Sequence, residues 1–571
     1  MDEKFFLHPK DSWQRRYEAL RALCVERLPA AVVGERFGFS TSYVYLLRHQ
    51  FRKGVLVLGE PPPSDMPARR RVTAEVRERI RQARERGLSA GDIAEWLDGD
   101  GVELSVRTVE RVLREEGFPK LPRRTQLKAG VTRQGALVPQ KAKRLEPGEA
   151  DGKTVACDHA GVFLFLPLME QLGLAELVAK SKLPGSKSIP ALSSFLSLLG
   201  LKLLGNERLS HVGDHSFDEG LGLLAGLNVL PKCTALSTYA YSLDQGCLDG
   251  FREAFFKTCR ARRLYGEEVI NLDFHAIPHH GDESVLETHW AGARNKSLKS
   301  ALTLFAQDAS SKLVLYADAD LRRSETDDAV LDFVAFYKKV RRSLPGTLVF
   351  DSRFTSYENL GELDRLNCRF ITLRRRGAKL VQNAATVTDW KRIHIPNAKR
   401  KYPNPFVHES YVTLKGFPRP IRQVIMKGTG REKPTFLITN DDERPVDLLV
   451  GDYSRRWRVE NYIAEAVKFF HLNALSSPIL VKVHLDVLLT VVADTLYYML
   501  AQKLRGFEEC DAPRIFRHFI KGKGTVAVTA TEIVVTFPRR AHNPILRNVP
   551  WQRLPQQVSW LGNRKLTFRF L

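Results

Sequence analysis

A chain of 571 residues, 43% hydrophobic and 27% charged, has the composition of folded soluble protein and the length for several domains of about 100–200 residues each. Its net charge of +23 and pI near 9.7 point to a polyanionic partner, nucleic acid being the commonest. Seven cysteines at 24, 157, 233, 247, 259, 368 and 510 show no paired spacing, which argues against a zinc site or a disulfide framework and fits a reducing cytoplasm. The opening Met-Asp-Glu-Lys is not a secretory signal pattern. The most apolar run, Val487 to Leu500, contains Asp494 and follows His484 and Asp486, so it is expected to be too short and too charged to span a bilayer and to form a buried helix instead.

In the first domain, 1–58, periodicity predicts helices over Trp13 to Arg27, Ala30 to Phe37 and Thr41 to Arg52, with Gly38 ending the second and Ser40 capping the third. Tyr43, Val44 and Leu47 should face inward, and Tyr45, Arg48 and His49 outward. A Pro-rich linker, 59–72, is followed by a second triplet in 73–118: Thr73 to Arg86, Ser89 to Leu97 and Ser105 to Glu115. Ser89 and Ser105 are expected N-caps, with Asp92 and Thr108 three residues on. The last helix should bury Val106, Val109, Val112 and Leu113 and expose Arg107, Thr108, Arg111 and Arg114. Two helices joined by a tight turn, the second presenting polar and basic residues, is the helix-turn-helix pattern, here in tandem. Outward arginines such as Arg48, Arg107 and Arg111 suit guanine edges or phosphates. A pair of helical protein-interaction domains would give the same periodicity. Residues 119–150 form a basic linker suited to a DNA backbone.

Residues 151–265 read as a helical middle domain, with helices over Phe163 to Leu174, Pro190 to Leu204 and Leu221 to Leu230 and a capped turn at Pro231 leading into another. From 266 the pattern turns to strands: Glu268 to Phe274, then a turn-rich edge from His275 to Gly281, then Leu302 to Gln307 and Lys312 to Ala317. A helix over Asp327 to Arg342, a strand Thr347 to Phe350, a helix Tyr357 to Leu366 and a strand Phe370 to Leu373 follow. That succession describes an RNase H-like fold, in which the first and fourth strands lie side by side and Asp273 and Asp351 meet at their tips. Hard carboxylate oxygens there, with a Glu from a later helix, suit Mg²⁺ or Mn²⁺, and two such ions can serve both sides of a phosphate. For Asp273 alone a strand-end cap is an equal reading. His275, His279 and His280 cluster nearby, as metal ligands or, on the commoner pattern, as surface or supporting histidines.

The later helix is read from Tyr453 through Lys468, with Pro445 beginning it. Arg456, Glu460 and Lys468 lie along it among Trp457, Val459, Tyr462, Ile463 and Phe469. Glu460 between cations serves either as a metal ligand or clamp, or as one rung of a solvated salt-bridge ladder.

Three stretches carry a family resemblance: Leu272-Asp273-Phe274-His275-Ala276-Ile277-Pro278-His279-His280-Gly281; Leu348-Val349-Phe350-Asp351-Ser352-Arg353-Phe354-Thr355; and Tyr453-Ser454-Arg455-Arg456-Trp457-Arg458-Val459-Glu460. Over roughly residues 230 to 500 the chain resembles bacterial insertion-sequence transposases of the DDE type, in the group with a β-rich insertion between the second Asp and the Glu. The third stretch repeats that group's Tyr, two residues, Arg, three residues, Glu. One departure is Lys468, eight residues after Glu460 where the family has Lys at seven; Glu465 is a rival for Glu460 without the matching Tyr and Arg. The resemblance implies that Asp273, Asp351 and Glu460 are catalytic and hold two Mg²⁺ or Mn²⁺ ions. It implies hydrolysis at transposon ends to free a 3′-hydroxyl, followed by strand transfer into target DNA. Tyr453, Arg456 and Lys468 would contact DNA backbone, and a dimer or higher oligomer would act on paired ends in the bacterial cytoplasm, at the nucleoid.

The core so divides into 266–373 and 435–510 around a β-rich insertion, 374–434, with strands expected at Trp390 to Ile395, Ser410 to Leu414 and Ile421 to Met426 and basic runs at Lys399 to Lys401 and Arg419 to Lys427. By the resemblance Trp390 stacks on a displaced base; a core role is as consistent with the sequence. Thr435 to Thr439 returns as a strand, and a basic C-terminal region, 511–571, has strands near Thr525 to Phe537. The expected fold class is thus multidomain α+β: tandem helix-turn-helix domains, a helical middle domain and an interrupted RNase H-like α/β catalytic core. Two other functions fit the same pattern: a catalytically inactive transposase-derived DNA-binding protein, and an RNase H-like nuclease that cuts without joining.

Overall fold

The computed structural model describes residues 9, 11–26, 28–52, 72–86, 88–118, 140–146, 148–279, 286–291, 295–352, 354, 356–395, 402–474 and 479–571. The Pro-rich linker up to residue 71, the basic linker up to residue 139, His280 and the run Lys399 to Lys401 lie outside the described residues. The chain divides into two units, Met1–Ala136 and Leu137–Leu571.

The first unit holds the helices Ser12–Cys24, Ala30–Phe37 and Thr41–Arg52, then Ala74–Glu85, Ala90–Gly99 and Val106–Glu115. Each triplet has its own core, Ala19, Ala22, Val33, Phe37 and Val44 in one, Ile80, Ile93, Leu97, Val109 and Val112 in the other. Gly38 ends the second helix at φ 68°, a left-handed cap that glycine adopts without a Cβ clash. Thr73, Ser89 and Ser105 cap as their types dictate, and Ser89 with Asp92 forms a reciprocal capping box. Val106 departs from expectation: as the first helical residue it lies past the packed stripe and is 47% exposed. Arg48 is half-buried, whereas Arg107 and Arg111 are exposed, Arg111 in an i,i+4 pair with Glu115 at 2.6 Å.

The second unit is built on a ten-stranded sheet. Its strands are β2 (Val269–Pro278), β3 (Thr288–Ala291), β4 (Lys296–Asp308), β5 (Val314–Leu321), β6 (Thr347–Val349), β7 (Phe370–Leu373), β8 (Lys391–Arg392), β9 (Phe406–Val412), β10 (Ile421–Lys427) and β11 (Thr435–Thr439), numbered after β1 (Thr154–Cys157). The order is β3-β4-β2-β6-β7-β11-β10-β9-β8, with β5 also on β4. β4 and β5 are antiparallel to their neighbours, whereas β2, β6 and β7 run parallel. The near-continuous apolar runs of β4 and β6 are those of strands covered on both faces. One correction concerns this sheet. β2 does not turn at His275: the long β4 supplies a pairing partner for every residue on to Pro278↔Ser300. The strands of 374–434 extend the same sheet, since β11 pairs antiparallel with β7 and carries β10, β9 and β8 outward from it. Within that segment Ala378–Ala385 is helical, and the expected strand from Trp390 shrinks to Lys391–Arg392.

Helix Leu480–Ala501 is, against expectation, long and apolar enough to cross a membrane, but 83% of its apolar window is buried inside the fold. It packs on β5 and on helices Ala191–Leu203, Cys233–Tyr241 and Gln245–Ala261, tying the 151–265 segment to the sheet. Lys202 marks that seam, donating to Phe470 O at 2.7 Å and to Asp486 at 2.8 Å. The expected helix from Leu221 to Leu230 ends at Leu224. Strand β1 joins the C-terminal strands β12 (Gly524–Val528), β13 (Glu532–Phe537), β14 (Gln557–Val558) and β15 (Arg564–Phe570) in a second sheet.

Candidate active site

β2 and β6 set the site. Their parallel register pairs Asn271 with Val349, so Asp273 and Asp351 each stand two residues beyond that pair; Asp351 lies just past the end of β6, whereas Asp273 is in the middle of β2 and not at its tip as expected, because β4 pairs β2 on to Pro278. Asp273 Oδ1 accepts the Phe274 amide at 2.9 Å, and Asp351 Oδ1 accepts the Ser352 hydroxyl at 3.1 Å. The Phe354 amide bonds back to Asp351 O at 3.2 Å, a tight turn that brings the Phe354 ring onto Phe274 with centroids 3.9 Å apart and planes 6° from parallel. An aromatic stack thereby clamps the turn after β6 onto the middle of β2. Arg353 and Thr355 lie outside the described residues.

The stretch from Pro445 to Lys468 is not one helix. Val446–Arg455 and Trp457–Lys468 meet at Arg456, where Arg456 N–H bonds Tyr453 O and Val459 N–H bonds Arg456 O, both at 3.1 Å. These i→i+3 bonds tighten the backbone and break the i→i+4 ladder at Arg456. Its guanidinium, 15% exposed, spans the site: Nη2 donates to Glu460 Oε1 at 2.5 Å and Nη1 lies 3.5 Å from Asp273 Oδ2. Glu460 itself is half exposed.

Burial pushes the Asp273 carboxyl up to about 6; Arg456 opposes that shift, and Glu460 and Asp351 add to it. The Tyr453 phenol is also raised by burial, with Arg456 and Asp351 beside it. Burial opposes the charge of Arg456, but Tyr453, Asp273, Glu460 and Asp351 together raise its pKa. The three carboxylates, Tyr453 and Arg456 thus share one electrostatic neighbourhood. Among the described residues no group of three His, Cys, Asp or Glu side chains converges enough to hold a metal as it stands. Arg456 supplies the countercharge, lying between Asp273 and Glu460. As a donor set the hard oxygens of Asp273, Asp351 and Glu460 fit Mg²⁺ or Mn²⁺.

Other expected site residues lie elsewhere. His275 is tied to Asn473 by a 2.8 Å bond from Nε2 and is held below the usual imidazole range by burial; His279 is buried. Lys468 is exposed at the far end of its helix. Trp390 donates from Nε1 to Val387 O at 2.8 Å, carries Lys427 Nζ 3.7 Å from its ring centre and packs beside Ala384, Ile425 and Phe436. Sequence reasoning missed Phe274 and Phe354 as a clamp, although both flank the aspartates in the quoted motifs. It also missed the cleft of about 960 Å³ behind the Glu460 helix, lined by Tyr462, Glu465 and Asp494.

Two aspartates at equal depth on adjacent parallel strands, with a helical glutamate linked to one of them through Arg456, make this an acidic site. Residues 265–495, about two-fifths of the chain, match the family model described as Transposase DDE domain. That match supports a transposase role and, with it, DNA as the substrate. No curated protein matches the chain.

Proposed function

We propose that this protein is a DDE transposase with an RNase H-like core, cleaving transposon-end DNA and joining it to target DNA. The observation that carries the reading is the register of β2 and β6, which sets Asp273 and Asp351 at equal depth along neighbouring strands while Arg456 links Asp273 to Glu460. The strand order β5-β4-β2-β6-β7, antiparallel then parallel, supports the RNase H-like assignment. Asp273, Asp351 and Glu460 would hold the divalent cations, which when bound make a water or a 3′-hydroxyl nucleophilic and stabilise the leaving oxygen. Arg456, released from Glu460, turns its planar fork to a DNA phosphate, which accepts two hydrogen bonds in place of the carboxylate. Tyr453 at the end of the preceding helix orients Arg456 and lines the same face. The tandem helix triplets, with exposed Arg107 and half-buried Arg48, supply end-sequence recognition.

The test is cleavage of DNA carrying the element's own ends, with Mg²⁺ or Mn²⁺, by the wild-type chain and by Asp351→Asn. Metal-dependent nicking that disappears in the variant, with end binding retained, is expected. Nicking that survives in Asp351→Asn would sink the reading.

A further inference from the structure

At the amino ends of β2 and β6, the edge of the sheet opposite Asp273 and Asp351, two helices finish side by side. Gln245–Ala261 ends in Lys257 and Arg260 and runs into Arg262 and Arg263. Ala329–Arg341 ends in Lys338, Lys339 and Arg341 and runs into Arg342. Two glutamates stitch these ends together. Glu267 receives Arg260 at 3.2 Å and Arg341 at 2.8 Å, and Glu253 receives Lys257 at 2.9 Å and Lys339 at 3.0 Å. Arg262, Arg263, Lys338 and Arg342 are exposed and have no ion-pair partner among the described residues. Between the helix ends lies a pocket of about 440 Å³ whose cationic lining is Lys257, Arg260, Arg263 and Arg341.

Cations at helix carboxyl ends ordinarily offset the helix dipole, and that demand is small. Against these eight cations stand Glu253, Glu267, Glu268 and about one unit of negative charge from the two helix ends, leaving about four positive charges in excess. Backbone geometry is a second, independent sign. Arg263 and Arg342 occupy the left-handed cap positions, at φ 57° and 60°, where glycine or asparagine is the usual occupant. Arg263 N–H bonds Arg260 O and Leu264 N–H bonds Cys259 O, so this is a regular helix-ending turn built with an unsuited residue. Both helix ends keep a guanidinium where folding alone favours its absence.

We propose that this patch binds the sugar-phosphate backbone of duplex DNA, on a segment other than the one presented to Asp273 and Asp351. Four residues of β2 separate Val269 from Asp273, about 13 Å of strand, so one phosphate cannot serve both places. Charge complementarity selects a polyanion; Glu267, which also lines the pocket, holds Arg260 and Arg341, and the unpaired cations Arg262, Arg263, Lys338 and Arg342 are the ones available to phosphates. The inference rests on the transposase reading, and a duplex held here would be flanking or target DNA.

The test is fluorescence anisotropy of a duplex lacking the element's end sequence, titrated with salt in the absence of divalent metal, on the full chain and on Arg262→Ala/Arg263→Gly/Arg342→Gly. Glycine suits both left-handed positions, so the variant should unfold at the same temperature or higher. The slope of log affinity against log salt is expected to fall by about 2.7, three contacts at about 0.9 each, with affinity near 0.1 M salt reduced at least about tenfold. An unchanged slope overturns the proposal. So does an equal loss in a control with Lys180, Lys232 and Lys503 changed to alanine, which would make the effect one of net charge. Binding to phosphatidylserine vesicles that matches duplex binding and is lost in the same variant would reassign the patch to membranes and also overturn it. Cleavage of end DNA by the wild type is scored separately: its absence defeats the transposase reading, whereas cleavage with an unchanged slope defeats the patch alone.

Discussion

Glu460 and Glu465 lie on one helix and face opposite sides of it. Five residues turn an α-helix by about 140° beyond a full circle, so Glu460 meets Arg456 while Glu465 enters the cleft with Asp494 and accepts the Ala512 amide at 2.8 Å. Burial raises the carboxyls of both Glu465 and Asp494; Asp511 adds to the rise at Glu465, and Glu465 to that at Asp494. Glu460→Gln should therefore abolish metal-dependent cleavage. Glu465→Gln should keep cleavage and stabilise the fold by about 1–2 kcal/mol at pH 8, since it removes a buried like charge. A carboxyl with a raised folded pKa destabilises only above its ordinary range, so the gain should vanish near pH 4. Thermal melts at the two pH values, beside a nicking assay, check both statements.

Arg456 is the cation that holds the Asp273 carboxyl down against burial. In Arg456→Ala that restraint is lost, and the acid limb of the cleavage pH profile should move to higher pH. Arg456→Lys should restore part of the acid limb but little of the rate, because a point charge cannot span Asp273 and Glu460 as a planar fork does. A rate profile between pH 5 and 9 separates the two effects. An acid limb unmoved in Arg456→Ala would contradict the electrostatic role.

Asp273 itself should cost stability. Its folded pKa of about 6 lies above its ordinary value of 3.8, so the native state holds a proton that the unfolded chain releases. Stability contributed by that proton is present below pH 4 and is lost as the pH rises through 6. Asp273→Asn should then raise the unfolding midpoint at pH 8, by an amount equivalent to about 3 kcal/mol, with little change at pH 4. Denaturant unfolding at the two pH values measures it, and a gain equal at both would show that the carboxyl's ionisation is not responsible.

The stack of Phe274 on Phe354 should matter to both stability and geometry. Phe354 is 1% exposed, and Phe354→Ala should cost about 3–5 kcal/mol as a large-to-small core change. Phe354→Leu keeps most of the volume but not the flat ring. It should leave a folded protein whose cleavage is slowed more than its DNA binding, because the turn carrying Asp351 loses its clamp. Parallel nicking and binding assays on Phe354→Leu read the difference.

Local pattern was enough for much of this chain. Both helix triplets of the first unit follow from apolar periodicity and from Ser and Thr caps, which act within four residues of sequence. Ala30–Phe37 and Thr41–Arg52 begin and end where the spacing puts them. Strand Phe370–Leu373 and strand Thr435–Thr439 were equally legible, being short apolar runs between turns. Boundaries failed where long-range pairing overrode local signals. His275 to Pro278 reads as a turn because of Pro278, yet β4 pairs it as strand through to Ser300. Val106 has an apolar side chain in the right phase, but as the first residue of its helix it stays about half exposed.

By itself the sequence singled out the residues proposed to carry the chemistry: Asp273 at the end of one apolar run, Asp351 at the end of another, and the Tyr453, Arg456 and Glu460 spacing that resembles a transposase pattern. Only the tertiary structure decided how they are arranged. Parallel register brings two carboxylates 78 positions apart in the chain to the same depth. A break at Arg456, invisible to a 3.6-residue period, sets the guanidinium between Asp273 and Glu460. The reason is physical: periodicity reports which face of an element is buried, whereas the distance between two charges depends on which elements pack together.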